Sequence, residues 1–284
     1  MSEYLYQLDS AWIAVGLLAL ILLANEAGFH VGCRSSRFSV DGAKAQTNAI
    51  QAAMLGLLAL LLGFTFTMAL QRFDSRSEAV IQEANAIGTT YLRSRLLPDE
   101  VREEARNIIQ LYLELRLRAG EVDLTRVDGR REAKETTIRL QDQLWSLAVR
   151  AAAVDPRPTT SGLFIQSLND LIDTYGRRSA SLEKHVPEPV LLLLFAVFII
   201  TGGVLGYSGG LVEARAAVAT IAMAVLIVVV IFIIIDLDRP RRGLIRVSQD
   251  SLIDLQATIA GDTPTGLQDS GQPLGPAGTA APHP

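Results

Sequence analysis

The chain has 284 residues, 49% of them hydrophobic and 20% charged, with a formal net charge of −4. High apolar content and high charge coexist only where the two are segregated along the chain, which excludes an ordinary soluble domain, and so small a net charge implies no nucleic acid or other strongly charged partner. One cysteine, Cys33, and three scattered histidines, His30, His185 and His283, exclude an internal disulfide and a Cys- or His-based metal site.

The first ten residues carry Glu3 and Asp9 but no Lys or Arg, and no small-residue cleavage site follows the first apolar run. That run, Ala11 to Ala24, therefore reads as a retained span and not as a signal peptide. It is short for a bilayer core, which takes about 20 residues. It crosses by including Leu8 to Ser10 or by running on past Asn25 and Glu26. Glu26 is the one acid near the membrane interior, and an intramembrane carboxylate is a functional candidate. The simpler expectation is a helix that ends at Asn25 and leaves Glu26 in the interface.

Ala49 to Leu70 is the second span, Pro189 to Gly209 the third and Ala214 to Ile235 the fourth. Gly202-Gly203 and Gly209-Gly210 are small residues suited to close helix packing. Between spans two and three, Gln71 to Glu188 reads as helices throughout, with no alternating strand pattern. Val80, Ala84, Ile87 and Tyr91, with Ile81, Gly88 and Leu92 beside them, continue the second span well beyond the membrane. Pro98 opens the next helix, with Asp99 and Glu100 where the helix dipole favours acids. Its stripe is Val101, Ala105, Ile108, Tyr112 and Leu115, and its charged face, Arg102, Glu103, Glu104 and Arg106, is expected to be solvated. Gly120 to Gly129 is a turn or loop. Leu140, Leu144, Leu147 and Ala151 mark a third helix that Pro156 and Pro158 end, and Phe164, Leu168, Leu171, Ile172 and Tyr175 a fourth.

The expected organisation is all-α: spans one and two in residues 1–70, a helical cytoplasmic domain in 71–188, spans three and four in 189–235, a C-terminal segment in 236–260 and a disordered tail in 261–284. Placing both termini and the domain in the cytoplasm puts Arg72, Arg76, Arg177, Arg178, Lys184, Arg239, Arg241, Arg242 and Arg246 inside, against Arg34, Arg37, Lys44 and Arg215 outside. The positive-inside rule favours that arrangement in a bacterial inner membrane.

Nothing in the chain resembles enzyme machinery: there is no phosphate-binding glycine loop, nucleophile elbow or metal-spaced cluster, and no cofactor is expected. The second span carries the sharper signal. Gly56, Leu60 and Phe64 recur at intervals of four on one face, extended by Thr67 and Gln71, with Arg72 at the exit. Repeated around a ring of subunits, that face makes a narrow apolar constriction of the kind that gates ions by dewetting; in a lone subunit it is ordinary helix packing.

Leu62-Gly63-Phe64 with Arg72-Phe73 resembles the Leu-Gly-Phe…Arg-Trp pattern in the second transmembrane helix of bestrophins. Glu83-Ala84-Asn85-Ala86-Ile87-Gly88-Thr89, together with Asp236-Leu237-Asp238-Arg239-Pro240 and Gly243-Leu244-Ile245-Arg246, is similar to signatures of the bacterial bestrophin-like family. The resemblance implies a homopentamer of four-span subunits in the lipid bilayer, passing inorganic ions of undefined identity through one central pore. Carried over by position, its apolar neck is Gly56, Leu60 and Phe64, with glycine where a bulky residue is expected. Animal bestrophins carry an acidic calcium clasp after the fourth span; here Asp236 and Asp238 are followed at once by Arg239, Arg241 and Arg242, and no calcium activation of that kind is expected. Arg72 at the inner mouth would favour anions, Asp74 and Glu78 cations. The alternatives are a membrane-anchored signalling or scaffolding protein whose helical domain binds partners, and a transporter using Asn25, Glu26 and His30.

Overall fold

The computed structural model describes residues 10–36, 41–121, 127–213, 215, 217–239 and 244–262, all of the regular structure among them helical. In chain order the helices are α1 (Ser10–Ser36), α2 (Asp41–Arg93), α3 (Asp99–Glu121), α4 (Val127–Val154), α5 (Leu163–Glu183), α6 (Glu188–Leu211), α7 (Ala217–Asp238) and α8 (Asp250–Gly261). A short 3₁₀ turn, Ser94–Leu96, follows α2, and a π-type turn, Pro158–Gly162, precedes α5. Four of these helices are long and apolar enough to cross a membrane.

α2 is one helix of 53 residues, about 80 Å at 1.5 Å per residue. Its first half packs with the other spans and its second half forms one wall of the helical domain. In the domain, Val80, Ile87 and Tyr91 of α2 meet Ile109 and Leu113 of α3, Leu144 and Leu147 of α4, and Phe164, Leu168 and Leu171 of α5. Leu252 and Ile259 of α8 close the same core. The apolar stripes read from the sequence therefore pack mainly on one another. Ile81 and Leu92 are exceptions, both exposed on the outer side of α2.

Among the spans, α1 and α6 lie closest. They run parallel, Ile21 beside Gly202, Asn25 beside Gly206 and Phe29 beside Gly210. A Cβ on Gly28, Gly32, Gly206 or Gly210 would collide with backbone of the opposite helix. Small residues let the two backbones touch where lipid gives no hydrophobic drive, and the Asn25 amide adds a bond to the Gly202 carbonyl at 3.2 Å.

This seam corrects one expectation. α1 does not end at Asn25 but continues to Ser36, because Gly28 and Gly32 carry the close contact a further two turns. Two smaller expectations also change. Of the expected loop, Gly120 and Glu121 belong to α3 and Val127 to Gly129 to α4, with 122–126 outside the described residues, and Pro98 caps α3 through its carbonyl instead of opening it, accepting from the amides of Val101 and Arg102. The expected disordered tail starts too early: Gly261 closes α8 and Asp262 pairs with Arg95 and Arg106, while positions 263–284 lie outside the described residues, as does Ala214 at the expected start of the fourth span.

Candidate functional site

The face of α2 read from the sequence is turned away from the rest of the subunit. Leu60 is 55% and Phe64 61% exposed, and Gly56, Thr67 and Gln71 are exposed with them. On the opposite side of the same turns Leu58, Thr65 and Ala69 are buried. At 100° per residue, the outward face continues through Asp74 and Glu78, which are also exposed. Arg72 stands on the flank and is half-buried. The structure thus gathers Gly56, Leu60, Phe64, Thr67 and Gln71 on one surface and separates Arg72 from it.

The inward face of α2 and of the turn after it also holds buried charges, Arg76 and Glu83, whose burial sequence reasoning passed over. Arg76, Val80, Glu83, Ile87, Thr90 and Ser94 recur at intervals of four and three and are all buried. Charged residues sitting at the positions of an apolar stripe were the available signal.

Arg76 is 2% exposed. Its Nε donates to the Ser181 carbonyl at 3.3 Å, Nη1 to the Leu237 carbonyl at 3.2 Å and Nη2 to the Lys184 carbonyl at 2.6 Å. The Asp238 carboxylate lies 3.7 Å from Nη2 and accepts the Val186 amide at 2.8 Å. Asp236 accepts the amides of Leu244 at 3.0 Å and Ile245 at 2.9 Å, folding the chain back after α7. The two acids of the Asp-Leu-Asp-Arg motif are therefore engaged by donors of the chain itself.

Two turns further along α2, Glu83 is 0% exposed. It accepts from Arg116 Nε of α3 at 2.7 Å and from Arg178 Nη1 of α5. Arg178 also donates to the Gln249 side chain at 2.8 Å, and Arg116 stacks over the Tyr175 ring at 4.8 Å. Burial, seconded by the Glu83 charge, pushes the Tyr112 phenol above its usual range, so it stays neutral beside the cluster. Arg106 departs from the expected solvated face. It donates to the Tyr91 hydroxyl at 2.6 Å and to Asp262 at 3.1 Å, and lies over the Tyr91 ring.

Glu26 sits within α1, half exposed, and pairs with Arg215 at 3.0 Å and, one turn on, with His30 at 3.6 Å. Arg215 also caps the Phe29 ring at 4.3 Å. Glu26, Asn25, Gln51, Ser208 and Arg215 line a cavity of about 270 Å³ at the end of the spans away from the helical domain. Its carboxylate is thus matched by a guanidinium. Among the described residues no cluster of three or more His, Cys, Asp or Glu side chains could hold a metal ion.

A family model described as a Bestrophin-like domain matches residues 19–252. A solved structure of a bacterial bestrophin homologue from Klebsiella pneumoniae, a point variant, is similar at a TM-score of 0.62 and 16% identity, over 86% of this chain and 98% of that one. A second variant of that homologue gives 0.59 and 19%, over 87% and 95%. No curated protein matches the chain.

Proposed function

The chain belongs to the bestrophin-like family, and from that premise we propose that it is an ion channel built from several copies, with the outward face of α2 as the pore lining. The observation that carries the reading is the exposure of Leu60 and Phe64 on a helix whose opposite face is buried. That surface is apolar at Gly56, Leu60 and Phe64, turns polar at Thr67 while still within the span, and continues beyond it through Gln71, Asp74 and Glu78. An apolar collar above a polar, acidic mouth is the layout of a hydrophobic gate.

In this reading Leu60 and Phe64 form the collar. Gly56 contributes no side chain, so the collar is two rings deep and wide at its outer end. Asp74 and Glu78 share the face and Arg72 stands off it, so the mouth favours cations. The helical domain and both termini lie in the cytoplasm, the copies number five, and the membrane is the bacterial inner membrane, as the basic residues and the family layout support. Because Asp236 and Asp238 are already engaged, by the amides of Val186, Leu244 and Ile245 and by the Arg76 charge, the channel works without a calcium clasp at that point.

The test starts with subunit number, by cross-linking in native membranes and mass in mild detergent. A monomer or dimer by both methods removes the pore. If a discrete ring is found, Phe64→Ala is assayed for ion flux in liposomes and is expected to raise the leak at least about tenfold, the effect of removing a barrier of roughly 1.4 kcal/mol. Unchanged flux in a conducting protein takes Phe64 out of the gate.

A further inference from the structure

An outward face is useful as a pore lining only if α2 is held at one rotation. A turn of 100° exchanges Leu60 for Leu61 and Phe64 for Thr65. Apolar contacts are poor at fixing such a rotation within a membrane, since lipid receives leucine as readily as protein does. Directional bonds are needed, and the first buried ones past the collar come from Arg76.

The guanidinium of Arg76 gives all three of its nitrogens to main-chain carbonyls, on α5 at Ser181, on the α5–α6 connection at Lys184 and on α7 at Leu237. Asp238 faces it and holds the same connection through Val186. One side chain of α2 thus fixes the end of α7 and the entry to α6 together. Rotating α2 by one residue would withdraw a buried charge from three acceptors, which a low-dielectric interior penalises heavily.

Residues beyond position 243 also pack along the helical-domain half of α2. Gln249 accepts from Arg178, the partner of Glu83. A Cβ on Gly88 would meet the Leu255 side chain, and Asp262 pairs with Arg95 at 2.5 Å. Leu237, Asp238, Gln249, Leu255 and Asp262 therefore reach α2 and the turn after it, directly or through Arg178, at positions 76, 83, 88 and 95.

We propose that Arg76 is a positioning residue for the pore: its latch to Leu237, Asp238, Ser181 and Lys184 sets which face of α2 is presented. The inference rests on the reading of α2 as the pore-lining helix.

The experiment reads rotation directly. Single cysteines replace Leu60, Phe64, Thr67, Thr65 and Ala69 in a Cys33→Ser background, and a membrane-impermeant thiol reagent is applied to native membranes from both sides. With Arg76 present, positions 60, 64 and 67 react fast and 65 and 69 slowly. Arg76→Gln is expected to reduce that contrast about tenfold, within the range for cutting a network that holds a two-state element. Arg76→Lys, which keeps the charge but not the fork of donors, falls between, and Asp238→Asn moves in the same direction. Ion flux in liposomes changes in the same order. If Arg76→Gln does not accumulate in the membrane, Arg76→Lys and Asp238→Asn carry the test. An unchanged reactivity pattern in those variants overturns the latch. Failure of the pore reading looks different: positions 60, 64 and 67 are then unreactive in the parent because lipid covers them, and no ring is found by mass.

Discussion

Replacing Glu83 by Gln tests the electrostatic core of the helical domain with almost no change in shape. The carboxylate is fully buried and serves two guanidiniums, Arg116 with 7% and Arg178 with 3% of its side chain exposed. Those three groups carry a net charge of +1. Glutamine raises it to +2 and leaves both arginines without a counter-ion. Breaking a buried pair by removing one partner costs about 3–5 kcal/mol, and the shared acid puts this case toward the upper end. An exposed pair such as Arg131–Glu135, with side chains 81% and 60% exposed, is worth only about 0.3–0.5 kcal/mol. At about 2–4 °C per kcal/mol for a chain of this size, a cost of about 4–5 kcal/mol means that Glu83→Gln should lower the melting temperature by roughly 8–20 °C. Glu135→Gln should lower it by less than about 2 °C. The assay is tryptophan fluorescence on heating in mild detergent, with Trp145 on α4 reporting the domain. A second variant that also replaces Arg178 by Met should recover part of the loss, since one uncompensated charge leaves with it. A shift for Glu83→Gln no larger than that for Glu135→Gln would refute the assignment of these groups as a tightly coupled buried cluster.

Gly206→Ala should lower the melting temperature by several degrees, because its Cβ meets the Asn25 carbonyl and forced overpacking costs about 1–3 kcal/mol; Gly16→Ala, which meets nothing within 4 Å, is the matched control and should leave it within about a degree. Tyr112 supplies a pH signature. Its folded pKa is raised by burial, so the stability it contributes is complete below the unfolded value of about 10 and is lost as pH rises beyond it. Thermal melts should therefore be unaffected by this group up to about pH 9.5 and should fall above pH 10. Tyr112→Phe should reduce that alkaline fall, leaving the share of Tyr175, whose phenol burial also pushes up, and an identical fall in the variant would remove Tyr112 as a source.

Hydropathy alone determined the four spans, because no soluble core needs such long uncharged runs, and helical spacing alone picked out the outward face of α2, because Gly56, Leu60, Phe64, Thr67 and Gln71 repeat with the period of a helix. The same periodicity also gave the core stripe through Val80, Ile87 and Tyr91. Arg76 and Glu83 fall on that stripe too, yet their burial could not be read from spacing, since a charge is tolerated there only if distant parts of the chain bring partners to it. Those partners, Leu237 and Asp238 for Arg76 and Arg116 and Arg178 for Glu83, stand 33 to 162 residues away in the sequence, and only the folded arrangement brings them together. The reach of α1 past Asn25 was decided in the same way. Its local sequence allows an end there, and the contact of Gly28 and Gly32 with α6 carries the helix on to Ser36. Local periodicity is a property of neighbours and survives in the sequence; satisfaction of a buried charge and close approach of two backbones are properties of the tertiary structure, which supplies the missing partner.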